Sequence, residues 1–188
     1  MLFDRTVGFI GFGGLARNLR PLLAPFRCKV QVYDPWLPKR YLERQGVKSV
    51  GLEELLYNSH VIYVLAVPSA SNRALLDRRM LELIRPDSVL VLISRSHLVD
   101  FDALTELLHA RRFRAAIDVF PQEPLAADHP IRTAPGVLLS AHLAGGLEEA
   151  ELDIGRMAVD DMESMIAGLP PTEMQVAQPE IVRLRGQP

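Results

Sequence analysis

Six residues near the amino terminus, Gly11-Phe12-Gly13-Gly14-Leu15-Ala16, have the types and spacing that can cradle a diphosphate. They follow the apolar run at residues 7–10 and open a segment whose leucines, Leu15, Leu19, Leu22 and Leu23, recur at helical spacing. In that strand–turn–helix setting each small residue has a task. Gly11 lets the backbone turn sharply, Gly13 lets a pyrophosphate approach the main chain, and Ala16 lets the helix pack close to the strand. Gly14 and Leu15 present free N–H groups at the positive end of that helix. Asp34 lies roughly 20 residues further on, at the end of a second apolar run over residues 29–33. A carboxylate there accepts hydrogen bonds from ribose hydroxyls and repels a 2′-phosphate, which points to NAD rather than NADP. Lys39 and Arg40 follow closely and soften that preference.

Further along, Arg95, Glu123 and His142 each come just after an apolar run. Together they suit hydride transfer at a 2-hydroxy or 2-oxo acid. A histidine can take the hydroxyl proton as the hydride leaves, and return it in the reverse direction. A glutamate can fix the imidazole in one tautomer and favour its charged form. An arginine can hold the substrate carboxylate in its planar fork and stabilise charge developing on oxygen. Asp118, at a strand end, can bind the nicotinamide carboxamide. Val67, Pro68 and Ser94 stand at strand ends too and join Asp118 and His142 in the cofactor-binding set. Singly, each has an ordinary reading: a surface arginine, a loop carboxylate, a structural histidine. Their shared placement is what raises the set. His97, close to Arg95, is a rival proton carrier, whereas His60, His109 and His129 read as structural.

The elements that must position these residues alternate between short apolar runs and helical segments. Strands are expected at residues 7–10, 29–33, 47–50, 61–66, 89–93, 114–119 and 136–140. Helices are expected after the glycine run and at residues 39–45, 52–58, 72–84, 100–111 and 147–167, with Asp100 capping the fifth and Pro21 kinking or shortening the first. The last carries an apolar side of Leu147, Ala150, Ile154, Met157, Ala158, Met165 and Ile166. This alternation predicts a doubly wound parallel α/β sheet of the Rossmann type, with ligands beyond the carboxyl ends of the strands. Residues 1–168 read as one nucleotide-binding domain and residues 169–188, rich in proline and glutamine, as a tail.

Bulk properties exclude several alternatives. A formal net charge of −2 over 188 residues gives no reason to expect nucleic acid or an anionic membrane as partner. The only cysteine, Cys28, rules out an internal disulfide and fits a reducing, cytoplasmic compartment. The longest apolar run, residues 61–67, is far too short to span a bilayer. No cluster of metal-ligand type stands out, and no metal is expected.

The chain resembles the NAD-binding domain of the D-isomer-specific 2-hydroxyacid dehydrogenases, a family that includes phosphoglycerate, glycerate, formate and D-lactate dehydrogenases. The matching stretches are Thr6-Val-Gly-Phe-Ile-Gly-Phe-Gly-Gly-Leu-Ala16, Tyr33-Asp-Pro35, Ser94-Arg-Ser-His-Leu-Val-Asp100, Ala116-Ile-Asp-Val-Phe-Pro-Gln-Glu-Pro-Leu125 and Leu138-Leu-Ser-Ala-His142. Their spacing agrees across roughly residues 2–168. The resemblance implies that Arg95, Glu123 and His142 are the catalytic three, that Asp34 binds the adenosine ribose, and that Asp118 contacts the nicotinamide. It also implies NAD as cofactor, a small 2-hydroxy or 2-oxo acid as substrate, and a homodimer.

Departures from the family pattern are specific. Ala16 replaces the usual third glycine, Ser96 and His97 stand where two small glycines are usual, Leu92 replaces a common asparagine, and Leu143 and Ala144 vary the usual Ile-Gly. Relatives carry a long segment before the first Rossmann strand that forms most of their substrate domain. Here Met1 nearly abuts that strand, so a fragment of a longer enzyme or a natural cofactor-binding remnant is expected. The alternative function is a non-catalytic NAD(H)-responsive module of the co-repressor kind. An S-adenosylmethionine-binding domain would share the glycine loop but leave Arg95, Glu123 and His142 without a role.

Overall fold

The structure is a computed structural model that describes residues 2–174; most of the expected tail, residues 175–188, lies outside the described residues. The chain divides into two compact units, Met1–Ala141 and His142–Pro188.

Valine, isoleucine and leucine dominate the strand segments of the first unit, as expected where both faces of a sheet are covered. Among the described residues, β1 (Thr6–Ile10), β2 (Lys29–Tyr33), β3 (Lys48–Ser49), β4 (Val61–Val64), β5 (Val89–Leu92), β6 (Arg114–Ile117) and β7 (Val137–Leu139) form one sheet in the order β3-β2-β1-β4-β5-β6-β7. Every pairing is parallel. The order reverses between β1 and β4, which makes that crevice the topological switch point. Register then aligns the strand ends: Tyr33, Ile10, Val64, Leu92, Ile117 and Leu139 form one row across the sheet. The residues one step beyond, Asp34, Gly11, Leu65, Ile93, Asp118 and Ser140, therefore line a single edge.

Successive strand residues point to opposite faces, and each face is covered. Phe9 and Val32 join Phe12, Ala16 and Leu42 in the core on one side, which takes α1 (Gly14–Leu23) and α2 (Lys39–Arg44). Ile10, Ile62 and Leu90 join Leu55, Leu81 and Leu104 on the other, which takes α3 (Leu52–Asn58), α4 (Arg78–Glu82) and α5 (Phe101–His109). Asp100 caps α5 as expected, accepting the Ala103 N–H at 3.0 Å. Two residues past Pro21, α1 gives way to a 3-10 turn at Ala24–Phe26.

One expectation changes. The helix expected over residues 72–84 begins only at Arg78. Before it the chain makes a 3-10 turn at Ala70–Asn72 and a further turn, then pairs at Leu76 with the loop after β5: Ala74 N–H donates to the His97 carbonyl (2.9 Å), Leu76 N–H to that of Leu98 (2.9 Å), and Asp100 N–H to that of Leu76 (3.0 Å). This pairing carries Leu76 into complete burial, and Asp77 becomes the N-cap, accepting the Met80 N–H at 2.8 Å. Tertiary burial outweighs local helical periodicity here.

The second unit is dominated by α6 (Glu148–Ile166), whose first turn carries Glu148, Glu149 and Glu151 against the helix dipole. Of its residues only Asp161 is buried. Its carboxylate clasps the descending chain, with Oδ1 accepting N–H groups from Thr172 (2.7 Å) and Glu173 (2.9 Å) and Oδ2 that of Met174 (2.8 Å). The Glu173 amide, with those of Met174 and Thr172, holds the Asp161 carboxyl below its ordinary value against the opposing effect of burial. The folded value being depressed, the clasp's stabilisation is complete above the ordinary carboxylate value and fades as pH falls below about 4. Amide exchange at residues 172–174, corrected for intrinsic rate, is expected to stay slow down to about pH 4 and to quicken below it. Protection unchanged at still lower pH would contradict this assignment.

Candidate active site

The turn after β1 is built around Gly11. Its N–H donates to the Tyr33 carbonyl at 2.8 Å, and its φ is +91°, a region that side-chain-bearing residues rarely adopt. A Cβ added there would sit 2.6 Å from Ala66 Cα and 2.7 Å from Ala66 N. The turn thus lies against the backbone leaving β4, across the switch point. Above Gly13 and Gly14 the situation is reversed: a Cβ on either would meet no atom within 4 Å. Helix α1 starts there with no side-chain cap and no acidic residue in its first turn. Uncapped amides, the positive end of a ten-residue helix and open space above two glycines fit a diphosphate.

Asp34 is bound into this turn. Its Oδ2 accepts the Phe12 N–H at 2.8 Å, while Oδ1 accepts those of Trp36 (2.9 Å) and Leu37 (3.2 Å). The carboxylate bolts the glycine loop to the end of β2. Three of its roughly four acceptor positions are occupied, which leaves one on Oδ2 for a ribose hydroxyl. A second hydroxyl bond would require the turn at residues 34–37 to give up an N–H.

On the other side of the switch point, the same edge carries Asp118 and Arg95. Asp118 is 3% exposed, and its N–H donates to the Leu92 carbonyl at 3.0 Å. Arg95 is half-buried three residues past β5, with Nη1 donating to the Ser94 carbonyl at 2.6 Å. The Ser94 hydroxyl is buried and lacks a hydrogen-bond partner among the described residues. Glu123 is exposed in the loop beyond β6, where its Oε1 accepts the Phe120 N–H at 2.9 Å. His142 opens the second unit, exposed and with φ +59°. Thus the glycine turn and Asp34 are in direct contact, and Arg95, Asp118 and Glu123 lie in loops at the carboxyl edge of the sheet. His142 is carried by the other unit.

The remaining histidines have structural partners. His97 Nε2 is 3.0 Å from the Ser69 carbonyl, His109 Nε2 is 3.0 Å from that of Pro130, and His129 Nδ1 accepts the Ile131 N–H at 3.2 Å. His60 sits before β4, beside Arg85 (3.3 Å); burial first, then the Arg85 and Arg5 charges, push its imidazole below the usual range. Val67, 56% exposed, begins a loop pinned by Asn72, whose Oδ1 accepts the Ser69 N–H at 2.7 Å and whose Nδ2 donates to the Val67 carbonyl at 2.9 Å.

Sequence reasoning passed over Gly8 and Phe12. A Cβ on Gly8 would lie 2.4 Å from Ser59 Oγ and 2.6 Å from Leu55 Cδ2, so this glycine lets α3 press onto β1. Ser59 is further tied to Gln31 Nε2 (2.9 Å) and, through its carbonyl, to Ser88 Oγ (2.7 Å). A glycine in mid-strand was the available signal.

Comparison with known proteins identifies the family. Residues 1–144 match the model for "D-isomer specific 2-hydroxyacid dehydrogenase, NAD binding domain". The chain belongs to this family. Its cofactor is accordingly NAD, which the uncapped glycine turn and Asp34 fit. The chain is 31% identical over 170 residues to a D-3-phosphoglycerate dehydrogenase of Archaeoglobus fulgidus, covering 90% of this chain and 32% of that protein. It is 31% identical over 159 residues to an (S)-sulfolactate dehydrogenase of Chromohalobacter salexigens, covering 84% and 52%. The crystal structure of a phosphoglycerate oxidoreductase from Rhizobium etli superposes with a TM-score of 0.80 at 40% identity, over 94% of this chain and 53% of that one. The chain therefore spans between a third and about half of the relatives it matches. Among the described residues no group of three or more metal-ligating side chains occurs, and no helix is long and apolar enough to cross a membrane.

Proposed function

We propose that this chain is the cofactor-holding part of an NAD-dependent oxidoreductase acting between the hydroxyl and oxo forms of a small D-2-hydroxy acid. The observation that supports this most is the single carboxyl edge on which an uncapped glycine turn, Asp34, Asp118 and Arg95 follow four strands in register. When bound, NAD supplies the hydride acceptor, and in its reduced form the donor.

The chain's own residues do the rest. Amides at the uncapped start of α1, from Gly13 to Ala16, hold the diphosphate, and Asp34 holds the adenosine ribose. Asp118 orients the carboxamide, with Val67, Pro68 and Ser94 lining the crevice. Arg95 clamps the substrate carboxylate and stabilises charge on the reacting oxygen. His142 removes the proton from the C2 hydroxyl or returns it to the oxo oxygen, and Glu123 sets its tautomer and favours its charged form. Microscopic reversibility makes one histidine serve both directions.

In this reading residues 1–168 are the nucleotide domain, supported by the end of α6 at Ile166 and the positive φ of Gly168 (+77°). Homodimerisation is supported by the exposed apolar residues of α6, among them Leu152, Ile154 and Val159. A lone free thiol, Cys28, supports the cytoplasm.

The test is NADH oxidation driven by short 2-oxo acids, using the protein as its gene encodes it. Turnover with at least one such acid is expected, faster with NADH than with NADPH. Binding of NADH without turnover of any would favour the non-catalytic NAD(H)-responsive module instead.

A further inference from the structure

We propose that His97 is a positioning residue that locks the loop after β4 to the loop carrying Arg95 before the nucleotide arrives. The inference rests on the cofactor reading above and adds a residue to it. His97 Nε2 lies 3.0 Å from the Ser69 carbonyl, across the gap between the two loops. To bond a carbonyl oxygen that nitrogen must carry the hydrogen, so the donor is His97 and the acceptor is Ser69.

The loop it holds is otherwise braced from within. Asn72 accepts from the Ser69 N–H and donates to the Val67 carbonyl, so both polar ends of residues 67–69 are fixed by one amide side chain. The Ser69 carbonyl accepts the Asn72 N–H at 3.2 Å, and His97 Nε2–H reaches the same oxygen from the other loop. On its own side His97 sits in the 3-10 turn Ser96–Leu98, which directly follows Arg95, and its carbonyl accepts the Ala74 N–H at 2.9 Å. His97 therefore joins the loops twice, by side chain at Ser69 and by main chain at Ala74. A shift of either loop is transmitted to the residue adjoining Arg95. Val67, at the β4 edge of the crevice, is held within the same loop by Asn72. A glycine at position 97 could make the main-chain link but not the side-chain one, so the lock depends on this residue type.

Preordering a loop removes an entropic cost from ligand binding.

The test uses the full 188-residue chain, its His97→Leu variant and its His97→Gln variant, whose amide nitrogen reaches about as far as Nε2. NADH affinity is measured, and hydrogen exchange of residues 66–77 is followed without nucleotide. His97→Leu is expected to bind NADH roughly two- to tenfold more weakly, the range for one lost hydrogen bond, and to exchange faster over residues 66–72. His97→Gln is expected to restore both. Unchanged affinity in His97→Leu, or no rescue by His97→Gln, overturns the inference. If the unaltered chain fails to bind NADH, the cofactor reading fails, and the exchange data alone then decide whether the lock exists.

Discussion

His142→Ala is expected to lower the rate of 2-oxo acid reduction by a hundredfold or more, because in the proposed mechanism it removes the general acid that acts on the reacting proton. The variant's fold is expected to be intact: His142 is exposed, and truncating a surface side chain rarely costs more than about 0.5 kcal/mol. Its φ of +59° makes glycine the milder replacement, so His142→Gly serves as the control for backbone strain. Stopped-flow reduction with saturating NADH separates the chemical step from substrate binding. Equal rates in the unaltered protein and His142→Ala would remove this residue from the mechanism. Arg95→Lys is the companion variant. It keeps the charge and loses the two-pronged geometry, so the Michaelis constant for the acid is expected to rise along with a loss in rate.

The second large effect concerns the turn. Gly11→Ala must place a Cβ 2.6 Å from Ala66 Cα and hold φ near +91°. Backbone strain of about 1–3 kcal/mol and overpacking of similar size together approach the whole stability of a small domain. The expected result is a sharply lower melting temperature and no measurable NADH binding. Gly13→Ala is the informative contrast. A Cβ at Gly13 meets nothing within 4 Å and φ is an ordinary −78°, so stability is expected to change by less than about 0.5 kcal/mol. The same methyl group would stand where the diphosphate approaches, so affinity should still fall at least tenfold, about 1.4 kcal/mol. If Gly13→Ala binds NADH normally, the diphosphate does not lie over that glycine.

Much of this architecture could be read from the chain alone, because it rests on short-range patterns. Buried parallel strands announce themselves as apolar runs; β4, β5 and α3 appear where residues 61–66, 89–93 and 52–58 predict them. Asp100 caps its helix as its residue type suggests. The glycine run and Asp34 form a signal because the fold fixes their separation. What could not be read depends on partners distant in sequence. The Phe12–Asp34 bond joins residues 22 apart, and the Ser69–His97 contact joins residues 28 apart. Neither leaves a periodic trace. The extended pairing of Leu76 with Val99 replaces helix for the same reason: the deciding contact comes from another loop. Asp34 is the most instructive residue. Its type and position pointed to a ribose, whereas its first task in the folded chain is to hold three main-chain N–H groups.

That double role of Asp34 frames the most direct test of the central claim. Trp36, the only tryptophan, is two residues from Asp34 and 76% exposed, so energy transfer from its indole to the reduced nicotinamide reports binding without a label. The 188-residue chain is expected to give a saturable signal with NADH, half-maximal below about 1 mM, displaced by ADP-ribose and weaker with NADPH. No saturable binding of NADH at millimolar concentration, in a chain shown to be folded, would contradict the account.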